Sequence, residues 1–410
     1  MQLLIMLQQL TLPNGSTVVT SNRIEAGTAA VNLGVTKNQA EALYHALVAA
    51  VDDTNVDGTL EDAMGNVING LGGFTATEDT NMAKQVAPQE DMAAGNAFVS
   101  KASTSTVQGI MSNRMASLRS GDAFVVGISA GESMSANSGF IQVFGSEVKQ
   151  SNTTENNNQT VFGYEADTSG VAIGFDGVTE SGTVLGLSLS NSETDVAGKG
   201  AGQSKNTVTT YTASVYADKA TETGYIEGSL TYGMSENKAS RRLTAGGLNR
   251  TYTGDYDSTS VSVKIGGGAP KETSQDVFVT PYGSLTGSMI STDTYTEKSG
   301  LAADNLRLKV QSDDITSLVG SAGIKAHIVS DYGTPMISLQ VNNEFGDTTI
   351  SHTNSYQGGG DAFKTNSKVE PLSATLGLGY TFGSDRASLN IGYEGTADDN
   401  EYISHYGSVK

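Results

Sequence analysis

The sequence predicts an all-β fold: a twelve-stranded antiparallel transmembrane β-barrel preceded by α-helical segments. Three observations predict it. From about residue 138 onward, apolar and small polar residues alternate, as in Ile226-Glu227-Gly228-Ser229-Leu230-Thr231-Tyr232-Gly233-Met234. Side chains alternate sides along a strand, so Ile226, Leu230, Tyr232 and Met234 share one face while Glu227, Ser229 and Thr231 share the other. Second, no run of roughly 18 apolar residues exists, and only helices or closed barrels satisfy their backbone groups in lipid. Third, the connections alternate between short ones, such as Glu180-Ser181-Gly182 and Gly383-Ser384-Asp385-Arg386, and long polar ones, as in barrels with tight turns at one end.

Taken in order, residues 1–35 read as short strand material with turn residues at Pro13-Asn14-Gly15. Residues 36–120 change period. Thr36 is placed to cap a helix through Leu43, Leu47 and Val51, rich in alanine and broken at Asp52-Asp53-Thr54-Asn55. A second helix is expected from Leu60 to Leu71, closed by Gly72-Gly73. After Pro88 a longer one runs from about Met92 to Leu118. Val107, Ile110, Met111 and Leu118 lie on one side of it, and Arg114 and Arg119 near its C-terminal end complement the helix dipole. Residues 121–410 hold the strands, centred near Val143, Ile173, Leu187, Val215, Leu230, Val263, Val279, Ile324, Leu339, Leu376, Ile391 and Gly407. Long loops are expected at Ser235–Asp257, Thr292–Asp314 and Asp347–Glu370.

Composition excludes several classes. Only 37% of the 410 residues are hydrophobic, and mean hydropathy is −0.23, which argues against a helical membrane protein. The net charge of −20 argues against nucleic acid or anionic lipid surfaces as partners, because those contacts need clustered Lys and Arg. Cysteine is absent, which suits a chain that crosses membranes unfolded into an oxidising compartment. Tryptophan is absent too, so any aromatic girdle must come from the 16 Tyr and 11 Phe. Met1–Leu10 lacks a positive n-region and a cleavage site, so the sequence reads as a fragment or an already processed piece.

Several segments together resemble the C-terminal translocator of the bacterial autotransporters, the type V secretion proteins. Ahead of the strands these are Thr36-Lys37-Asn38-Gln39, Ala83-Lys84-Gln85-Val86-Ala87-Pro88-Gln89 and Arg114-Met115-Ala116-Ser117-Leu118-Arg119. Within them are Gly139-Phe140-Ile141-Gln142-Val143-Phe144-Gly145-Ser146, Gly170-Val171-Ala172-Ile173-Gly174-Phe175-Asp176, Tyr211-Thr212-Ala213-Ser214-Val215-Tyr216-Ala217 and His405-Tyr406-Gly407-Ser408-Val409-Lys410. Their order spans nearly all of residues 36–410.

The resemblance implies an outer-membrane barrel whose lumen is threaded by a helix carrying Val107, Ile110, Arg114, Leu118 and Arg119. It also implies an N-terminal passenger brought to the cell surface, with residues 1–35 its remnant and 36–120 the linker. The expected partners are outer-membrane lipid, the passenger segment, periplasmic chaperones and the barrel-assembly machinery, acting on a monomer. No cofactor or metal is implied.

Gly127-Ile128-Ser129-Ala130-Gly131 matches a nucleophile elbow, but the residues after it are turn-like and lack the required helix. The four histidines, His45, His327, His352 and His405, have no context that marks a base for Ser129. An enzyme is therefore not expected; a passenger-free pore remains the other alternative. Asp313-Asp314 and Asp398-Asp399 lack the spacing of a calcium loop, and Gly266-Gly267-Gly268 and Gly358-Gly359-Gly360 lack the helix start of a phosphate cradle. Some relatives cut themselves at an asparagine pair before the Arg-Met element. Here that place holds Gly109-Ile110, and the nearest asparagine is Asn113. The last strand, Tyr402–Lys410, is expected to be truncated, since a spanning strand takes about 9 to 11 residues and should end on an aromatic.

Overall fold

The computed structural model describes residues 5–11, 17–23, 30–31, 33–51, 76–88, 90–119, 137–154, 160–245, 248–301, 304–330, 332–384, 387–399 and 401–410. The expected helix at Leu60–Leu71, the turn at Pro13-Asn14-Gly15 and the Ser129 motif lie outside these residues. Ile5–Thr11 and Thr17–Arg23 pair as an antiparallel hairpin.

Among the described residues, the helices ahead of the barrel include α1 (Lys37–Val51), α2 (Ala76–Val86) and α3 (Glu90–Arg119). Thr36 and Gln39 cap α1 reciprocally. The Gln39 amide donates to Thr36 Oγ1 and the Thr36 amide to Gln39 Oε1, both at 3.2 Å, satisfying two otherwise orphaned donors. α2 was not expected as a helix; its apolar positions Met82, Ala83 and Val86 fit one helical face, and Pro88 follows its end.

The barrel strands are β1 (Asn137–Gln150), β2 (Tyr164–Val178), β3 (Thr183–Gly198), β4 (Lys205–Ala220), β5 (Tyr225–Leu243), β6 (Arg250–Gly268), β7 (Val277–Thr292), β8 (Ile315–Ile328), β9 (Thr334–Glu344), β10 (Leu372–Ser384), β11 (Ala387–Asp398) and β12 (Tyr402–Val409). Each of the twelve expected centres falls inside one of them. Every strand pairs antiparallel with the next, and β12 closes on β1 from Tyr402↔Gln150 to Val409↔Val143. Eight residues of each strand are paired along that seam, which removes the sheet edge there, and Asn137–Gln142 of β1 lie beyond the paired stretch.

Outward residues form an apolar band: Leu185, Leu187 and Leu189 on β3, Leu230, Tyr232 and Met234 on β5, Leu376 and Leu378 on β10 are all exposed. In water that many bare aliphatic chains would be costly; against lipid they are at home. Tyr211, Tyr232, Tyr393, Phe175, Phe345 and Phe382 supply the exposed aromatics that tryptophan does not.

Connections 179–182, 221–224 and 329–333 make one end of the barrel short-turned, while 151–163, 293–314 and 345–371 lie at the other. The expected loop Ser235–Asp257 is instead mostly strand. β5 continues to Leu243 and β6 begins at Arg250, with alternating burial throughout, because Ser235, Asn237 and Arg241 keep facing inward while Glu236, Lys238 and Arg242 face outward. Polar outward residues do not end a strand; they end its contact with lipid.

The long connections also fold, as a four-stranded sheet of Tyr295–Thr296, Leu308–Ser312, Thr349–Tyr356 and Phe363–Lys368. On it sit α1 and α2. Leu43, Ala46, Met82 and Val86 join Leu243, Leu248, Tyr252, Leu306, Leu308, Tyr356 and Phe363 in one apolar core. Polar contacts fix the register: Tyr356 Oη donates to Val86 O at 2.8 Å, and Gln85 Oε1 accepts from the Thr244 and Ala245 amides. Burial holds the Tyr356 phenol well above its ordinary value, so it stays a donor. Beneath lie two ion pairs, Arg241–Glu297, bidentate at 2.7 Å, and Arg250–Asp304 at 2.8 Å.

Candidate functional site

The lumen is where the sequence invests its polar residues. Inward positions on β3 to β7 are hydroxyls that bond across strands: Ser190 to Thr212 at 2.6 Å, Ser214 to Thr231 at 2.9 Å and Ser262 to Ser288 at 2.7 Å. Most of this wall's polarity is satisfied in such pairs, with the buried Ser188 hydroxyl on β3 an exception.

α3 lies against this wall. Its apolar residues recur at helical spacing and pack inward. Val99 meets Val148, Tyr164, Ala166, Val196 and Val208, while Ile110, Met111 and Met115 meet Phe144, Ala172 and Tyr216. Burying each such chain contributes about 1.5 to 3 kcal/mol. The polar face is bonded as well: Thr104 to Ser260 at 3.0 Å, Gln108 Nε2 donating to Ser262 Oγ at 2.9 Å, Lys101 paired with Glu344, and Lys264 Nζ donating to Ser112 Oγ at 2.8 Å. Glu344 in turn accepts from Ser317 Oγ and the Leu318 amide.

The strongest single attachment is Arg114. Its Nε and Nη2 donate to the two oxygens of Asp176 at 2.7 and 2.9 Å, and Nη2 also reaches Ser138 Oγ at 2.6 Å. Asp176 further accepts from Tyr216 Oη at 2.8 Å and from Ser138. The guanidinium sits 5.4 Å from the Phe140 ring centre. A fork-to-fork pair with every remaining oxygen lone pair engaged is the geometry in which a buried charge is tolerated. Two glycines make room: a Cβ at Gly174 would collide with the Phe140 ring, and one at Gly186 with Tyr216.

Of the residues singled out in sequence, Val107, Ile110 and Arg114 are buried in this contact, Leu118 is half-buried, and Arg119 closes the helix with its side chain outside the described residues. Asp176, Tyr216, Ser138 and Lys264 were missed. A lone inward acid opposite an arginine on the preceding helix is the sole signal that sequence offered for Asp176. Asn113 faces the cavity left beside the helix, which Glu394 on β11 also lines. Among the described residues, no group of His, Cys, Asp or Glu is arranged to hold a metal ion.

The model of the autotransporter beta-domain matches residues 139–394, more than half of the chain. Outer membrane protein A of Rickettsia conorii is 29% identical over 261 residues, covering 60% of this chain and 13% of that protein. Outer membrane protein B of Rickettsia japonica is 24% identical over 261 residues, again 60% of this chain and 16% of its own length. The chain thus spans a small part of the relatives it matches. The translocator domain of autotransporter NalP from Neisseria meningitidis has the same fold, with a TM-score of 0.51 and 18% identity, covering 76% of this chain and 97% of that one. The chain belongs to the autotransporter beta-domain family and is a barrel of the bacterial outer membrane.

Proposed function

We propose that this barrel translocates an N-terminal passenger and anchors it at the cell surface. The observation that carries the reading is the path of α3. It is held inside the barrel, its C-terminal end tied by Arg114 near the short-turn end, while the helices before it pack on the long connections. Barrels of this membrane keep short turns in the periplasm and long loops outside, so the chain ahead of α3 emerges on the cell surface. In this reading residues 1–35 belong to the passenger, 36–120 are linker and pore helix, and 121–410 form the barrel. Val107, Ile110, Arg114, Leu118 and Arg119 belong to the threading helix. Periplasmic chaperones and the barrel-assembly machinery deliver the chain, which works as a monomer.

The role is transport rather than chemistry. Ester hydrolysis abolished by Ser129→Ala would overturn that.

Fusing a reporter ahead of Thr36 tests the translocator reading. The reporter should be protease-accessible on intact cells in proportion to heat-modifiable, folded barrel. A reporter retained inside while the barrel is folded would defeat it. The same fusion should stay full-length, with no change in Asn113→Ala, since Asn113 stands alone rather than in a pair.

A further inference from the structure

α3 occupies only one side of the lumen. Beside it runs a cavity of about 1160 Å³, from Tyr225, Tyr282 and Lys325 near the short-turn end to Asp347 and Glu370 among the long connections. Its far wall is neutral and hydrogen-bonding: Ser284, Thr286, Ser338, Gln340, Asn342 and Thr375 face it. Both signs of charge are present lower down, where Lys264 lies within electrostatic reach of Glu227 and Glu394, and Glu394 within reach of Lys325. Such a surface solvates polar molecules without selecting strongly for an anion or a cation.

The outer mouth of the same cavity is framed by Thr36, Lys37 and Asn38 at the start of α1 and by Ile350, Asn366, Ser367 and Lys368 of the Thr349–Lys368 hairpin. The two sides touch: Asn38 Nδ2 donates to Asn366 O at 3.2 Å. α1 is fastened there by Leu43 and Ala46 in the apolar core, by His45 stacked 5.3 Å over Phe363, and by Asn305 Nδ2 donating to Ala49 O at 3.2 Å. α3 has its own independent fastenings at Lys101, Gln108 and Arg114.

We propose that the cavity beside α3 is a water-filled passage for small polar solutes, and that α1 docked on the Thr349–Lys368 hairpin is the lid over its outer mouth. The lid rests on its own apolar core and the helix on separate contacts inside the barrel, so the first can be released without the second. This goes beyond export: it concerns the assembled barrel, and its failure leaves passenger display as it was.

The chain has no cysteine, so one introduced thiol reports alone. The test uses the full chain in proteoliposomes with Thr286→Cys in the cavity wall, or Thr212→Cys behind the helix, exposed to a small water-soluble thiol reagent. Leu43→Asp, which puts a charge into the apolar core, should speed labelling at the Thr286→Cys thiol by about tenfold or more, as when a lid closed about 99% of the time is released. Uptake of a small neutral sugar should rise with it, and the Thr212→Cys thiol should stay slow. Heat-modifiability on gels confirms that the barrel is folded. Phe363→Ala, which removes only the ring under His45, serves if Leu43→Asp does not fold. Labelling unchanged by either variant, or already fast in the parent, would overturn the lid. Faster labelling with no sugar uptake would overturn the passage.

Discussion

The two sides of the barrel wall treat the lumen differently. β2 to β6 are 15 to 19 residues long and turn small side chains inward; Ala172, Ser188, Thr212, Thr231 and Ser262 are buried beneath α3. β8 to β12 are 8 to 14 residues long, and among inward Ser338, Ser373 and Thr375 they also carry Gln340, Asn342, Glu394 and Tyr406, half-exposed around the cavity. Small inward side chains let a helix approach until apolar contacts close, whereas long polar ones hold it off and keep their own water. Beneath α3 the small residues leave room for its apolar contacts, while Gln340, Asn342 and Glu394 project into the open side.

The sharpest way to break this comparison is to cut the helix loose. Arg114→Ala leaves Asp176 buried without its cation and should cost about 3 to 5 kcal/mol of stability, the usual penalty for halving a buried pair. Thermal unfolding in detergent measures it. A loss near zero would mean that the pair forms only at the surface of an otherwise empty lumen.

Next in size are charges placed on each face. Leu230→Arg points into lipid near the middle of the apolar stretch Ile226–Met234 of β5 and should cost about 2 to 4 kcal/mol, whereas Gln340→Lys, on the watered side, should stay within about 0.5 kcal/mol. Thr231→Lys separates the walls further. It faces inward like Gln340 but is fully buried, and it should fail to fold around α3. Ser229 is also inward yet only 7% exposed, so it is less forgiving of charge than inward facing alone suggests. Urea titration of refolded barrels ranks these variants, and equal effects of Thr231→Lys and Gln340→Lys would erase the distinction between walls.

The smallest effect concerns glycines. Gly174→Ala drives a methyl into the Phe140 ring under Arg114 and should cost about 1 to 3 kcal/mol, while Gly287→Ala meets nothing within 4 Å and should be neutral. Matching unfolding midpoints for the two would show that the Phe140 ring moves freely.

Strand positions were legible because period-two alternation is imposed by lipid on one side and water on the other. The ends of α3 were legible for a similar reason, as Pro88 precedes its start and arginines crowd its finish. What was hidden depended on partners far away in sequence. α2 buries only Met82, Ala83 and Val86 and gains meaning only against Leu243 and Tyr356, and the strands Leu308–Ser312 and Thr349–Tyr356 read as polar loop because their apolar face is shared with α1. The site fared likewise. Arg114 stood out by its place at the helix end, but Asp176 sits in a strand, where one acid among many carries no mark until the barrel closes.

The longer strands carry a consequence for the outside of the cell. On β5 and β6 the outward residues past Met234 and before Val261 include Glu236, Lys238, Arg242, Thr251, Thr253, Asp255, Asp257 and Thr259, all polar and beyond the apolar band. The rim is therefore uneven, tall on the side that braces the helix and low opposite. An antibody or phage arriving at an intact cell meets this hydrophilic parapet together with the connections it carries. It is a rigid, hydrogen-bonded sheet, so an epitope mapped there depends on the folded barrel and vanishes when the protein is boiled.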